Sequence, residues 1–237
     1  MPISDIYNKA HYHKFEIKKL KQILASNAQQ LSSPKLLDVG FGKGVFLEMA
    51  RKLTYEVYGV DVNQDYVDAA NSKGFTCYNP GQIDELPDGF DIILMSHLVE
   101  HIKYEDLKVI LNAYIEKLTP NGKLIILTPL LTPKFYYDFT HEKPYYPQSI
   151  RHAFGSNQEE LSFKKTNVQL ELDDVYFFRD SYRTRTWRSY YIQKNNVLKH
   201  TLTTYINVFL ASIYLLSGGR IGEKASWMGI YSKKTIE

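Results

Sequence analysis

Residues 36–44 read LLDVGFGKG, an apolar run that breaks into three alternating glycines. Leu36, Leu37 and Val39 have the character of a short buried strand. Gly40, Gly42 and Gly44 then permit a tight turn with no Cβ in the way, and Val45 to Leu53 continues with helical character. Strand, glycine turn and helix make a layout in which backbone can touch a nucleotide-type ligand. A second strand candidate, Tyr55 to Val60, ends in Asp61, which lies 23 residues after Asp38. An acid about 20 residues beyond such glycines is where a carboxylate meets ribose hydroxyls. The competing role for Asp61 is the N-cap of the segment that starts near Asn63.

The details of the turn bear on which ligand it takes. A dinucleotide turn wants G-x-G-x-x-G, and Val45 stands where the third glycine should fall. Asp38 precedes the first glycine by two residues. A carboxylate there repels a pyrophosphate and suits a ligand that carries an ammonium and a sulfonium. The pattern favours S-adenosylmethionine over a nicotinamide dinucleotide.

On these residues the chain resembles the class I S-adenosylmethionine-dependent methyltransferases. LLDVGFGKG is similar to their first motif, and GVDVN, with Asp61 and Val62, to the ribose-acid segment. Asp84 to Ile102 (DELPDGFDIILMSHLVEHI) resembles the fourth strand with its flanks, and Leu118 to Pro129 (LTPNGKLIILTP) the helix-to-fifth-strand unit. The resemblance covers roughly residues 30 to 130. Within the family the chain most resembles the small-molecule branch, which includes quinone and saccharide methyltransferases, because Asp138 to Phe154 (DFTHEKPYYPQSIRHAF) is similar to a Thr-His-x-x-Pro-Tyr segment found there. The resemblance implies an α/β fold with a doubly wound, mostly parallel seven-stranded sheet and a lid insertion after the fifth strand. It also implies S-adenosylmethionine as cofactor, held by Asp38, Gly40, Phe41, Gly42, Gly44, Asp61, Val62 and Ser96. Where the family often has an acid for the adenine amino group, this chain has Gln82 followed by Ile83, and both join the cofactor candidates.

At 237 residues the chain suits one elaborated domain. We divide it into an N-terminal helical cover (1–30), a cofactor-binding core (31–130), a substrate lid with the sixth strand (131–195), and an apolar helix with the last strand (196–237). A net charge of +3 lacks the concentrated basic face of a nucleic-acid binder, so nucleic acid is not the expected partner. The single Cys77 excludes an internal disulfide framework and reads as a buried small hydrophobe near the third strand. With no apolar h-region at the N-terminus, a cytoplasmic location is expected, with peripheral membrane contact open. Oligomeric state has no signature in the chain.

Residues 12–28 carry an amphipathic pattern and read as one helix, with Tyr7, His11, Tyr12 and His13 as candidates to line the pocket. Tyr104 to Leu118 keeps helical spacing until Pro120, Asn121 and Gly122, before a strand at Lys123 to Leu127. From Pro129 to Tyr191 aromatics are frequent, and single rings there are expected to be core more often than substrate contacts. Arg179, Arg183, Arg185 and Arg188 are phosphate-binding candidates or a solvated face. Thr201 to Gly219 is free of charge over 19 residues. It reads first as a buried helix and second as an interfacial helix that reaches a lipid-linked acceptor, with Ser226 to Ser232 as the last strand.

Methyl transfer from a sulfonium is an in-line displacement that needs positioning and, for a hydroxyl acceptor, a base. His97, just after the fourth strand, and His141, in the lid, are the catalytic candidates, with His141 slightly preferred. His101 shares the Glu100-His101 pair. H-E-x-x-H is absent and no metal is expected. The expected reaction is O-methylation of a small or lipid-linked molecule, a glycan saccharide or a quinone-like ring. RNA methylation and a non-catalytic cofactor-binding module are the alternatives.

Overall fold

The computed structural model describes residues 13–155, 168–184 and 197–234, with side chains omitted at 197–201. Tyr7, His11, Tyr12, Arg185 and Arg188, singled out above, and the end of the aromatic stretch at Trp187, Tyr190 and Tyr191 lie outside the described residues. The chain groups into two compact units, one of Lys21–Tyr176 with Ser226–Glu237 and one of Met1–Leu20 with Phe177–Ala225.

Most of the sheet lies in the larger unit. Its strands are β1 (Lys35–Val39), β2 (Glu56–Val60), β3 (Thr76–Tyr78), β4 (Phe90–Ser96), β5 (Leu118–Pro129), β6 (Gln169–Asp180) and β7 (Glu223–Lys234), in the order β3-β2-β1-β4-β5-β7-β6. The first five pair parallel, and β7 runs antiparallel to β5, with Ser226 to Ser232 against Pro129 to Lys123. This is the doubly wound, mostly parallel seven-stranded sheet expected from the sequence. Helix α1 (Lys14–Ala28) begins in the smaller unit, α2 (Val45–Lys52), α3 (Gln64–Ser72), α4 (Tyr104–Glu116) and α5 (Pro147–Phe154) connect or flank the strands, and α6 (Val197–Leu216) belongs to the smaller unit.

Burial explains why β1 and β4 read as continuous apolar runs: Leu36, Leu37, Ile92, Ile93, Leu94 and Met95 are inaccessible to solvent, as strands covered on both faces must be. The strand order reverses between β1 and β4, which leaves a crevice at their carboxyl ends. One boundary differs from expectation. Leu118 already pairs with Phe90, and the Thr119–Gly122 stretch makes an irregularity before Lys123 resumes opposite Ile92, so Pro120 interrupts a strand instead of preceding one. Cys77 is buried beside Phe41, Leu47, Val67, Ala70 and Phe75, as a small hydrophobe should be, and burial raises its thiol to about 12.

Candidate active site

The glycine turn leaves β1 at its carboxyl end. Gly40 (φ 75°) donates its N–H to the Val60 carbonyl at 2.7 Å, and its left-handed conformation favours glycine; a Cβ there would lie 2.9 Å from Leu98 Cδ1 and push that side chain aside. That contact sets the turn directly against the segment after β4. Gly42 (φ 52°) faces open space, where a side chain would fill the volume a ligand needs. Its N–H reaches Asp61 Oδ2 at 2.8 Å, while Asp61 Oδ1 accepts from the Asn63 N–H at 2.9 Å. The carboxylate therefore ties the two loops together. The N-cap of α3 is Asn63, whose side chain accepts from the Asp65 N–H, so Asp61 does not cap that helix.

Asp38 is the electrostatic centre of this end of the sheet. It is fully buried, and neither carboxylate oxygen has a hydrogen-bond partner. Burial, followed by the charge of Asp61, pushes its pKa up to about 8. A buried carboxyl with both oxygens unsatisfied fits a cationic ligand group, which would restore the ionised form. The Ser96 hydroxyl, at the end of β4, is likewise buried without a partner. The remaining cofactor candidates are more ordinary. Phe41 contributes backbone to the turn, and its ring packs beneath Gly59, where a Cβ would fall 2.7 Å from it. Val62 is 81% exposed beside Asp61. The Gln82 amide is engaged in its own turn, accepting from the Asn79 N–H at 3.1 Å and donating to Glu85, and Ile83 packs at the edge of the main core.

His97 follows β4 in a left-handed conformation (φ 52°) that a non-glycine residue adopts only under constraint. Its N–H bonds to the Leu127 carbonyl at 2.7 Å. Its Nδ1 lies 3.4 Å from Oε1 of Glu100, a carboxylate 1% exposed whose Oε2 accepts from the Thr128 hydroxyl at 2.8 Å. A buried acid thus faces the imidazole and is itself held by a neighbouring strand. His141 sits near by in the segment after β5. Its Nδ1 lies 2.6 Å from the Phe135 carbonyl and so carries the proton, and its ring stands 4.8 Å from that of His101. His101 Nδ1 meets Thr140 Oγ1 at 2.9 Å, and that hydroxyl donates to Asp138, whose pKa is lowered by the bonds from Thr140. One ligand-type atom each from Glu100, His101 and His141 comes within 4.8 Å of the others, a mixed N/O donor set of the kind that holds divalent cations. His101 also borders an open cleft of about 520 Å³ with Ile102, Lys103, Asp106 and Glu142.

The structure brings the predicted His97 and His141 to one end of the sheet and adds Glu100 and Thr128, which sequence reasoning did not assign. Glu100 had one available signal, an acid three residues after a histidine. Its partner Thr128 lies 28 residues away in sequence and on another strand. In the segment after β5, Phe135 and Tyr145 are buried, as single rings there were expected to be, whereas Tyr136, Tyr137 and the fully exposed Phe139 are not.

A family model for the methyltransferase domain matches residues 11–172, more than half of the chain. The ubiquinone biosynthesis O-methyltransferase of Azorhizobium caulinodans is 30% identical over 122 residues, which cover 47% of this chain and 47% of that protein. The mitochondrial protein of the same description from Schizosaccharomyces pombe is 29% identical over 107 residues, covering 41% of this chain and 38% of its own. The chain therefore spans less than half the length of these curated relatives. Among solved structures, an S-adenosylmethionine-dependent methyltransferase from Archaeoglobus fulgidus superposes with a TM-score of 0.54 at 25% identity, over 94% of this chain and 100% of that one. YcgJ from Bacillus subtilis gives 0.57 at 15% identity over 95% and 100%, a likeness of fold. The glycine turn, the buried acid before it and the strand order agree with these matches: the chain belongs to the methyltransferase-domain family and has the fold of the S-adenosylmethionine-dependent methyltransferases.

Proposed function

We propose that this chain transfers a methyl group from S-adenosylmethionine to a hydroxyl oxygen on a small, ring-bearing acceptor of the quinone type. The observation that carries the proposal is the His97–Glu100–Thr128 arrangement beside the glycine turn. It places an oriented imidazole next to a site whose unsatisfied carboxyl, Asp38, suits a cation. The sulfonium supplies an electrophilic methyl carbon. Asp38 and the Gly40–Gly44 backbone would hold and orient the cofactor, and Asp61, which braces the Gly42 amide, would accept from its ribose hydroxyls. His97 takes the acceptor's proton as the oxygen–methyl bond forms, and Glu100 stabilises the resulting imidazolium, as a buried carboxylate does for a catalytic histidine.

Three features support a quinone-like acceptor over a saccharide. The relatives that match at about 30% identity are described as ubiquinone biosynthesis O-methyltransferases. The exposed rings of Tyr136, Tyr137 and Phe139 offer faces for an aromatic acceptor. His141, tied through Nδ1 to the Phe135 carbonyl, keeps Nε2 as an acceptor that can orient a second ring hydroxyl. The test is transfer of isotopically labelled methyl from the cofactor to a catechol-type ring and to whole-cell extract. Label in the ring product and in the organic fraction supports the reading. Label confined to water-soluble sugars or to RNA, or no label, overturns it.

A further inference from the structure

The smaller unit has a helix that is apolar on both sides. Asn207, Ala211 and Tyr214 of α6 are buried, and Phe15 and Leu215 pack against Ala211 and Tyr214, with the Phe15 and Tyr214 rings edge to face at 5.3 Å. Asn207 accepts from the Thr184 N–H at 2.8 Å, and Tyr214 donates to the Arg179 carbonyl. The opposite side is open to solvent although it carries Leu202, Tyr205, Ile206, Phe209 and Leu216, with Phe209 65% and Leu216 88% exposed. At helical spacing these five positions fall within an arc of about 100°, and Leu202 to Leu216 spans about 21 Å along the axis.

The sequence around this helix is biased in charge. From Ser181 to Gly222 the sequence carries Arg183, Arg185, Arg188, Lys194, Lys199 and Arg220 and no aspartate or glutamate. A chain with a net charge of +3 therefore keeps six positive charges in this stretch and is net negative elsewhere. Among the described residues no helix is long and apolar enough to cross a membrane. An exposed apolar stripe on such a helix, within a stretch of sequence whose charged residues are all cations and whose described members Arg183 and Arg220 are exposed, meets the requirements of a surface that lies in the boundary between headgroups and acyl chains.

We propose that the outer face of α6 docks on an anionic lipid bilayer, with Leu202, Phe209 and Leu216 entering the interface and the exposed Arg183 and Arg220 meeting acidic headgroups. This reaches beyond the methyl-transfer reading and does not depend on it. A bilayer surface would also bring the enzyme to acceptors that carry lipid tails. A second copy of the chain would satisfy the apolar stripe, but it would set like charges against each other.

The test is flotation of the full chain with vesicles of phosphatidylcholine alone and with a quarter phosphatidylglycerol, without cofactor, in low and in 0.5 M salt. The expected result is binding to the anionic vesicles at least tenfold above the zwitterionic ones, reduced at least fivefold by the high salt. Phe209→Ser combined with Leu216→Ser should lower the bound fraction at least tenfold. Because this needs no catalysis, failure here leaves the methyltransferase reading untouched. A wild-type measurement guards against a misfolded variant: amide exchange over 202–216 should slow on addition of anionic vesicles. Absence of binding to anionic vesicles would overturn the proposal. So would unchanged binding by the double variant, a dimer in solution that the same variant dissociates, or an RNA oligomer bound in preference to vesicles.

Discussion

Two turns stand side by side at the carboxyl ends of β1 and β4, and both need a residue with positive φ. After β1 the position is Gly40 (φ 75°), and after β4 it is His97 (φ 52°). The glycine meets the conformation at little cost and lets the turn pack directly against Leu98, while Gly42 two residues on leaves open space for a ligand. The histidine bears a conformational cost of about 1–2 kcal/mol and keeps an imidazole at the crevice. One turn is shaped for binding by main chain and the other for chemistry by side chain. Substitutions that exchange these properties are the means to test the contrast.

The largest effect is expected from His97→Ala. Turnover should fall about 10²–10³-fold while cofactor affinity stays within about twofold, because a general base acts in the transition state and not in cofactor binding. Isothermal titration alongside steady-state rates separates the two. Next is Asp38→Asn. The folded pKa of Asp38, about 8, is above its ordinary 3.8, so the folded ligand-free protein holds this proton more tightly than the unfolded chain. The contribution of this group to stability therefore declines as pH rises from about 4 to 8. Affinity for a cationic ligand should increase with pH until about 8, by up to about tenfold per unit, as ionising Asp38 ceases to cost energy. Asp38→Asn should weaken cofactor binding about 30-fold at pH 8 through the lost charge, flatten this pH dependence, and raise the melting temperature of the ligand-free protein at pH 8.5.

A smaller effect sharpens the comparison itself. His97→Gly should lose as much turnover as His97→Ala but be more stable than it by about 1 kcal/mol, since only alanine retains the left-handed cost. Chemical denaturation of both variants would detect that order, and equal stability would mean the turn is not strained. The smallest effect is expected from His141→Ala, a fall in turnover of less than about tenfold with a raised KM for the acceptor, in keeping with an orienting role. A larger loss there than at His97 would reverse the assignment of the base.

Much of the fold was legible because it is local. The β1 turn, the apolar run of β4 and the spacing of α4 are each set within a dozen neighbouring residues, and the expected elements agree with the observed ones to within a few positions. The Thr119–Gly122 irregularity was not legible, since proline and glycine after a helix signal a stop and say nothing of a strand that has already begun at Leu118. The site divided in the same way. Asp38, Gly40 and Asp61 carry their signal in spacing, whereas the role of Glu100 depends on Thr128, which the chain reaches only after α4 and most of β5. Gln82 shows the opposite case: its side chain has the right chemistry for an adenine but is engaged by the capping of its own turn.

The position of β7 has a consequence for how the molecule is assembled. β6 is an edge strand whose sole neighbour in the sheet is β7, and β7 is in turn seated on β5. The order of synthesis is therefore not the order of assembly. β6 leaves the ribosome first, with Leu170, Leu172 and Val175 as its core-facing apolar side chains, but has no ladder to join until residues 226–232 have paired with Lys123 to Pro129. The two strands must close over a loop that contains α6, so this edge should be the slow step of folding and the place where an unfinished chain is most exposed to aggregation.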